Sequence, residues 1–149
     1  DTVLLYDIPE LSLKALLTYL KHCGVKQVIL LFTCRDLENA VQQAYVDYPN
    51  RDAMTTAYRA VMASLDKRGQ LIMAELPECF KGRISVNAVK IMEQLGFITI
   101  NDGIICKGII RRCQLEDSPL YSSVQHKRHT LINVYKENMH QSQYELLRG

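Results

Sequence analysis

Six cations crowd one interval of the 149-residue chain: Lys81, Arg83, Lys90, Lys107, Arg111 and Arg112, with Glu93 and Asp102 the only acids between them. Cations gathered in this way do one of three things. They neutralise phosphates along a nucleic-acid backbone. They hold an acidic peptide tail beside an apolar pocket. Or they form a solvated basic face with no ligand. Few aromatic residues are interleaved with them, so stacking on bases is not indicated.

Other residue types that carry chemistry lack the spacing it needs. Asp7, Asp36, Asp47 and Asp52 form no metal-ligand pattern and read as loop and cap residues. His22 lies near the end of an expected helix, where an imidazolium favours the helix dipole. His126 and His129 sit three apart on one helix without the intervening Glu of a metalloprotease, and read as a solvated face. No Gly-x-Ser-x-Gly elbow, dinucleotide fingerprint or phosphate-binding lysine loop occurs. The five cysteines, Cys23, Cys34, Cys79, Cys106 and Cys113, are odd in number and include no Cys-x-x-Cys. They mark neither a disulfide framework nor a zinc site, and predict reduced thiols in a cytoplasmic protein. The sequence thus predicts no self-contained active site and no cofactor of its own.

Composition sets the bounds. With 48% hydrophobic and 23% charged residues the chain is globular rather than disordered. Its net charge of +2 means that any nucleic-acid role must rest on a local patch. No apolar run is long enough to span a bilayer. Asp1 leads straight into a strand rather than a signal peptide, and the missing Met predicts a piece of a longer polypeptide.

The elements that would position the six cations can be read in turn. Ser85 is an N-cap candidate for a helix whose apolar stripe is Val86, Val89, Met92 and Leu95, with Gly96 as its left-handed stop. Phe97 to Ile100 is rich in β formers. Asn101-Asp-Gly103 is a hairpin signal with its two-residue turn at Asp102-Gly103, and Ile104 to Cys106 returns. Upstream, Asn50-Arg-Asp52 offers caps for a helix to about Lys67, stopped by Gly69. Leu71, Ile72, Leu76 and Phe80 mark a shorter second helix, and Phe80 to Arg83 a turn. Three helices and a β-wing make a winged-helix-like unit, a fold that binds nucleic acid, binds proteins or is purely structural.

The flanks complete an α/β architecture. Thr2 to Asp7 and Gln27 to Phe32 read as strands buried on both faces. Between them a helix from Leu11 to His22 has Ser12 as its cap, making one βαβ lobe. Its strand ends carry Asp7 and Thr33-Cys-Arg-Asp36, where ligands sit in such folds. The missing phosphate-binding loops favour a structural lobe. Asp36 reads as capping a short helix through Leu37, Ala40 and Val41, followed by a short strand over Ala44 to Tyr48. Ser118 and Pro119 open a long polar helix with apolar positions at Leu120, Val124, Leu131, Val134, Tyr135 and Met139. The expected organisation is a βαβ lobe over 1–48, a winged-helix-like unit over 49–112 and a helical segment over 113–149.

The order of these features resembles one family. The strand Val3-Leu-Leu-Tyr-Asp-Ile-Pro9, the Leu-rich helix and Leu30-Leu-Phe32 look like the start of its C-terminal domain. Tyr48-Pro-Asn-Arg51, Ala57-Tyr58, the Ser85 to Gly103 helix and hairpin, and Leu115-x-x-Ser118-x-x-Tyr121 continue the likeness over nearly the whole chain. The family is the RecJ single-stranded-DNA-specific exonucleases of low-GC Gram-positive bacteria. The resemblance implies a parent enzyme that degrades single-stranded DNA from the 5′ end in recombination and repair. It implies manganese or magnesium held by an Asp-His-His signature in upstream domains. This chain contains no Asp-His-His, so no catalytic residue carries over. Where family members place a basic residue soon after Tyr121, Ser122, Ser123, Val124 and Gln125 follow here. The implied role is a non-catalytic C-terminal domain that helps to place DNA or docks a partner such as the single-stranded-DNA-binding protein. A free-standing winged-helix regulator of duplex DNA is the rival, with Asn87, Lys90 and Gln94 available for base contacts. A structural lid on a nuclease core is the third reading.

Overall fold

The computed structural model describes residues 1–73, 85–109 and 113–146, those from 142 onward by backbone alone. Its elements in order are β1 (Thr2–Leu5), α1 (Leu13–His22), β2 (Gln27–Leu30), α2 (Cys34–Asp47), α3 (Arg51–Ser64), β3 (Gln70–Ile72), α4 (Val86–Gln94), β4 (Ile98–Asn101), β5 (Ile104–Lys107) and α5 (Pro119–Leu146). The fold is mixed α/β. Its contacts group into two units, Asp1–Ala44 with Arg128–Gly149, and Tyr45–Lys127.

In the first unit β1 and β2 pair in parallel, Thr2 opposite Gln27 through Leu5 opposite Leu30. Strand, helix and parallel strand follow the expected βαβ order. The expectation that both faces are buried is wrong. Each strand alternates exposed and half-buried residues, and Leu4, Ile29 and Leu31 are 49%, 39% and 47% exposed. The sheet has two strands among the described residues, whereas parallel strands buried on both faces belong to wider sheets with helices on each side.

The start of α1 is satisfied in a way no local pattern shows. Ser12 precedes the helix, but its side chain makes no cap. Its hydroxyl donates to Glu137 Oε1 at 3.0 Å. The cap comes from Asn138 on α5, whose Oδ1 accepts from the Leu13 N–H at 2.7 Å and whose Nδ2 donates to the Leu11 carbonyl at 3.2 Å. Asn138 is fully buried, so both its polar ends need partners.

Residues 34–47 form one helix, not a short helix and a strand. Leu37, Val41 and Ala44 are buried along it, and burying this i, i+4, i+7 stripe overrides the β preference of Tyr45 and Val46. Asp36 takes part in the helix start, but with Thr33. The Asp36 carboxylate accepts from both the Thr33 N–H and its hydroxyl at 2.7 Å. The Asp36 N–H returns to Thr33 Oγ1 at 3.4 Å. This is the reciprocal arrangement of a capping box.

The second unit runs helix, strand, helix and hairpin, and of the three helices expected before the wing two, α3 and α4, lie among the described residues. Asn50 caps α3 by accepting from the Ala53 N–H at 2.9 Å. The helix stops at Ser64, earlier than the expected Lys67, because Asp66 organises a turn. Its carboxylate accepts from the Arg68 and Gln70 N–H groups, and Gly69 completes the turn with a positive φ. Leu71 and Ile72 are not helical. They form β3, which pairs antiparallel with β5, Leu71 opposite Ile105. Leu76, Phe80 and the expected turn to Arg83 lie outside the described residues.

The helix and hairpin follow the sequence closely. Ser85 Oγ accepts from the Ala88 N–H at 3.1 Å. Ala88, Val89, Ile91 and Met92 are buried, while Val86, assigned to the apolar stripe, is 69% exposed. Ile100 lies opposite Ile105, and the chain turns through Asp102 (φ 48°) and Gly103 (φ 77°). Both central residues thus have the positive φ of the tight hairpin turn. The sheet order is β3-β5-β4. Gly108 passes so close to the end of α4 that a Cβ there would collide with the Gly96 carbonyl and the Phe97 backbone. Met54, Val61, Leu71, Ile91, Met92, Ile98, Ile105, Tyr121 and Val124 belong to one buried core.

Candidate functional site

Two of the six cations can be placed. Lys90 is exposed on α4 and Lys107 is exposed at the end of β5. Lys81, Arg83, Arg111 and Arg112 lie outside the described residues. On α4 the polar side chains expected to face DNA are engaged elsewhere. Asn87 donates to the Asp47 carbonyl at 2.7 Å. Gln94 Oε1 accepts from the buried Ser118 hydroxyl and from the Leu120 N–H. Ser118 in turn caps α5, its Oγ accepting from the Tyr121 N–H. Of the proposed readers, Asn87 and Gln94 therefore fix the packing of the helix, and Lys90 remains outward.

The remaining expected sites resolve into local structure. Asp36 belongs to the capping box, and the two Thr33 hydrogen bonds hold its carboxyl below the usual range. Asp52 lies in the first turn of α3, where an acid suits the helix dipole. His22 lies 2.8 Å through Nδ1 from the Thr18 carbonyl at the end of α1. His126 and His129 are exposed on α5, and His129 contacts Asn133. Cys23, Cys34, Cys106 and Cys113 form no disulfide. The Tyr19 hydroxyl is held above its ordinary pKa, mainly by its hydrogen bond with Cys23. Among the described residues no group of three or more His, Cys, Asp or Glu side chains is placed to hold a metal ion. Among the described residues no helix is long and apolar enough to cross a membrane.

A groove not foreseen from the sequence lies within the second unit. Its volume is about 380 Å³ and its lining is Arg51, Met54, Thr55 and Tyr58 from α3, Met92 from α4, Phe97 and Leu115. The Tyr58 and Phe97 rings meet with centroids 5.4 Å apart and planes tilted by 56°. Met54 and Tyr58, four apart, share one face of α3. Phe97 is placed by the stop at Gly96, and Leu115 by a short 3-10 turn over Leu115–Asp117. Methionines and an edge-tilted aromatic pair adapt to apolar side chains of different shape. Thr55 carries the one hydroxyl besides that of Tyr58, and it donates to the Arg51 carbonyl at 3.0 Å. None of the other lining side chains is a carboxylate, imidazole or thiol.

Arg51 gives the groove its charge. The guanidinium Nη2 lies 2.7 and 3.0 Å from the two carboxylate oxygens of Glu116, and both side chains are more than half exposed. Arg51 opens α3, where a cation opposes the helix dipole, and Glu116 offsets that. The Glu116 carboxyl is held below its ordinary value, first by its own backbone N–H and then by Arg51. A guanidinium beside an apolar groove recognises a carboxylate attached to apolar groups.

No protein-family model, no curated protein and no solved structure matches this chain.

Proposed function

We propose that this chain is a non-catalytic accessory module of a RecJ-type single-stranded-DNA exonuclease, acting in the cytoplasm, and that its winged-helix unit docks the acidic tail of a partner. The single-stranded-DNA-binding protein is the partner that the family resemblance implies. The apolar groove with Arg51 beside it carries the docking part of the reading. The internal commitments of Asn87 and Gln94 weigh against a free-standing reader of duplex DNA, which needs such side chains free on its recognition helix. The manganese or magnesium of the parent enzyme belongs to its Asp-His-His domains. The residues present here do not fit that site, and no step of the chemistry is assigned to them.

Positioning of single-stranded DNA is the second reading, supported by the exposed Lys90 and Lys107. Fluorescence anisotropy separates the two. Under the docking reading, Arg51→Ala and Leu115→Ala each weaken an acidic tail peptide by about five-fold or more, and Lys90→Ala with Lys107→Ala leaves it nearly unchanged. Under the DNA reading the double lysine variant weakens oligonucleotide binding alike for all sequences and flattens its salt dependence. If none of these substitutions moves either ligand, the structural-lid reading replaces both. A module of this kind has no nuclease activity. Metal-dependent shortening of 5′-labelled single-stranded DNA that co-purifies with the chain refutes that part of the proposal.

A further inference from the structure

Glu116 occupies the group that a ligand carboxylate would seek. Both its oxygens lie within 3.0 Å of Arg51 Nη2, and Arg51 itself and Leu115, the residue before Glu116, line the groove. The 3-10 turn does not need this side chain to close. Its ends are fixed by the reciprocal bonds of Gln114 and Asp117 and by the Ser118 N–H donating to the Leu115 carbonyl. Its own backbone N–H and then the Arg51 guanidinium hold the Glu116 carboxyl below its ordinary value, and a glutamate is negatively charged at neutral pH.

We infer that Glu116 is an internal competitor for the groove's ligand: an acidic peptide must exchange its carboxylate for that of Glu116 on Arg51, and this exchange sets the selectivity of the site. The inference rests on the docking reading above. The exchange is mild because the pair is exposed at 63% and 53%. Released Glu116 returns to water and keeps its own backbone N–H, so no charge is left buried and unpaired. A neutral apolar peptide needs no such exchange and does not feel Glu116 through Arg51. An acidic peptide does, by the modest factor that exposed ion pairs carry. Glu116 thereby keeps the docking of acidic tails reversible and sensitive to salt.

The test uses the full chain and two labelled nonapeptides. One has a run of aspartates followed by leucine and phenylalanine, and the other has asparagine at every aspartate. Glu116→Gln is expected to tighten the aspartate peptide by about two- to five-fold at low salt, with the gain shrinking as salt rises. The asparagine peptide should bind both proteins equally. Adding Arg51→Ala to Glu116→Gln should abolish the gain. Thermal melts and a parallel Glu116→Ala variant control for folding. If the aspartate peptide binds the native chain but Glu116→Gln changes nothing, the competitor role is refuted while docking stands. If both peptides tighten equally, Glu116 does not act by competing with the ligand's carboxylates and the role is again refuted. If neither peptide binds either protein, the docking reading fails and the inference fails with it.

Discussion

Replacing Asn138 by Ala tests whether one buried amide on α5 closes the start of α1. The side chain is fully buried and makes two bonds to residues far upstream. Its Oδ1 accepts from the Leu13 N–H at 2.7 Å, and its Nδ2 donates to the Leu11 carbonyl at 3.2 Å. Leu13 is 1% exposed, so water does not readily replace the lost acceptor, and an unsatisfied buried N–H costs about 1–3 kcal/mol. Leu11 is 47% exposed, so water takes over at its carbonyl and that bond contributes little net. The expected loss is about 2 kcal/mol, mostly from the N–H, comparable with removal of a strong helix cap. For a chain of this length that lowers the melting temperature by about 4–8 °C. The control is Asn133→Ala on the same helix, an exposed residue whose bond is to His129, expected within about 0.5 kcal/mol of native. Urea unfolding gives the global figure, and amide exchange at Leu13 gives the local one. A loss below about 0.5 kcal/mol with unchanged Leu13 exchange refutes the remote cap.

Three further outcomes are expected. Gly108→Ala should destabilise by about 1–3 kcal/mol in urea titration, because its Cβ meets the backbone of Gly96 and Phe97 rather than a movable side-chain tip. Gly103→Val should cost about 1–2 kcal/mol and weaken the Ile100–Ile105 cross-strand contact seen by NMR, because φ is 77° there. The stability difference between native protein and Asp36→Asn should depend on pH: the folded-state pKa is depressed by Thr33, so the contribution of Asp36 is full above the unfolded carboxylate value and is lost as pH falls through the folded one. A difference that stays constant through the acid range would show that the capping box does not form.

Several features of this protein follow from residues close together in the chain. Asn50, Ser85 and Ser118 each cap a helix with a side chain that reaches an N–H three residues on. The turn at Asp102-Gly103 is decided by the left-handed conformations its two residues tolerate. Such bonds and torsions form in any fold that contains the segment, which is why the helix and hairpin were legible. The parallel pairing of β1 and β2 was legible for a related reason, since strand, helix and strand in close succession leave few topologies.

The rest depended on partners far away along the chain. Leu71 and Ile72 fit a helical spacing, but antiparallel pairing with β5, more than thirty residues on, makes them a strand. Asn87 and Gln94 looked free on the outer face of α4 until Asp47, Ser118 and Leu120 came within reach. Asn138 reads as one more polar residue on a polar helix, and Ser12 as an ordinary cap. The exchange of those roles requires α5 to lie against the start of α1. The groove collects its lining from two helices, a strand entry and a turn, and the Arg51–Glu116 pair spans 65 residues. Local preferences are worth tenths of a kilocalorie per residue, whereas buried apolar side chains and buried hydrogen-bonding groups each carry about 1–3 kcal/mol. Where the two disagreed, the larger energies, which exist only once distant segments meet, decided the structure.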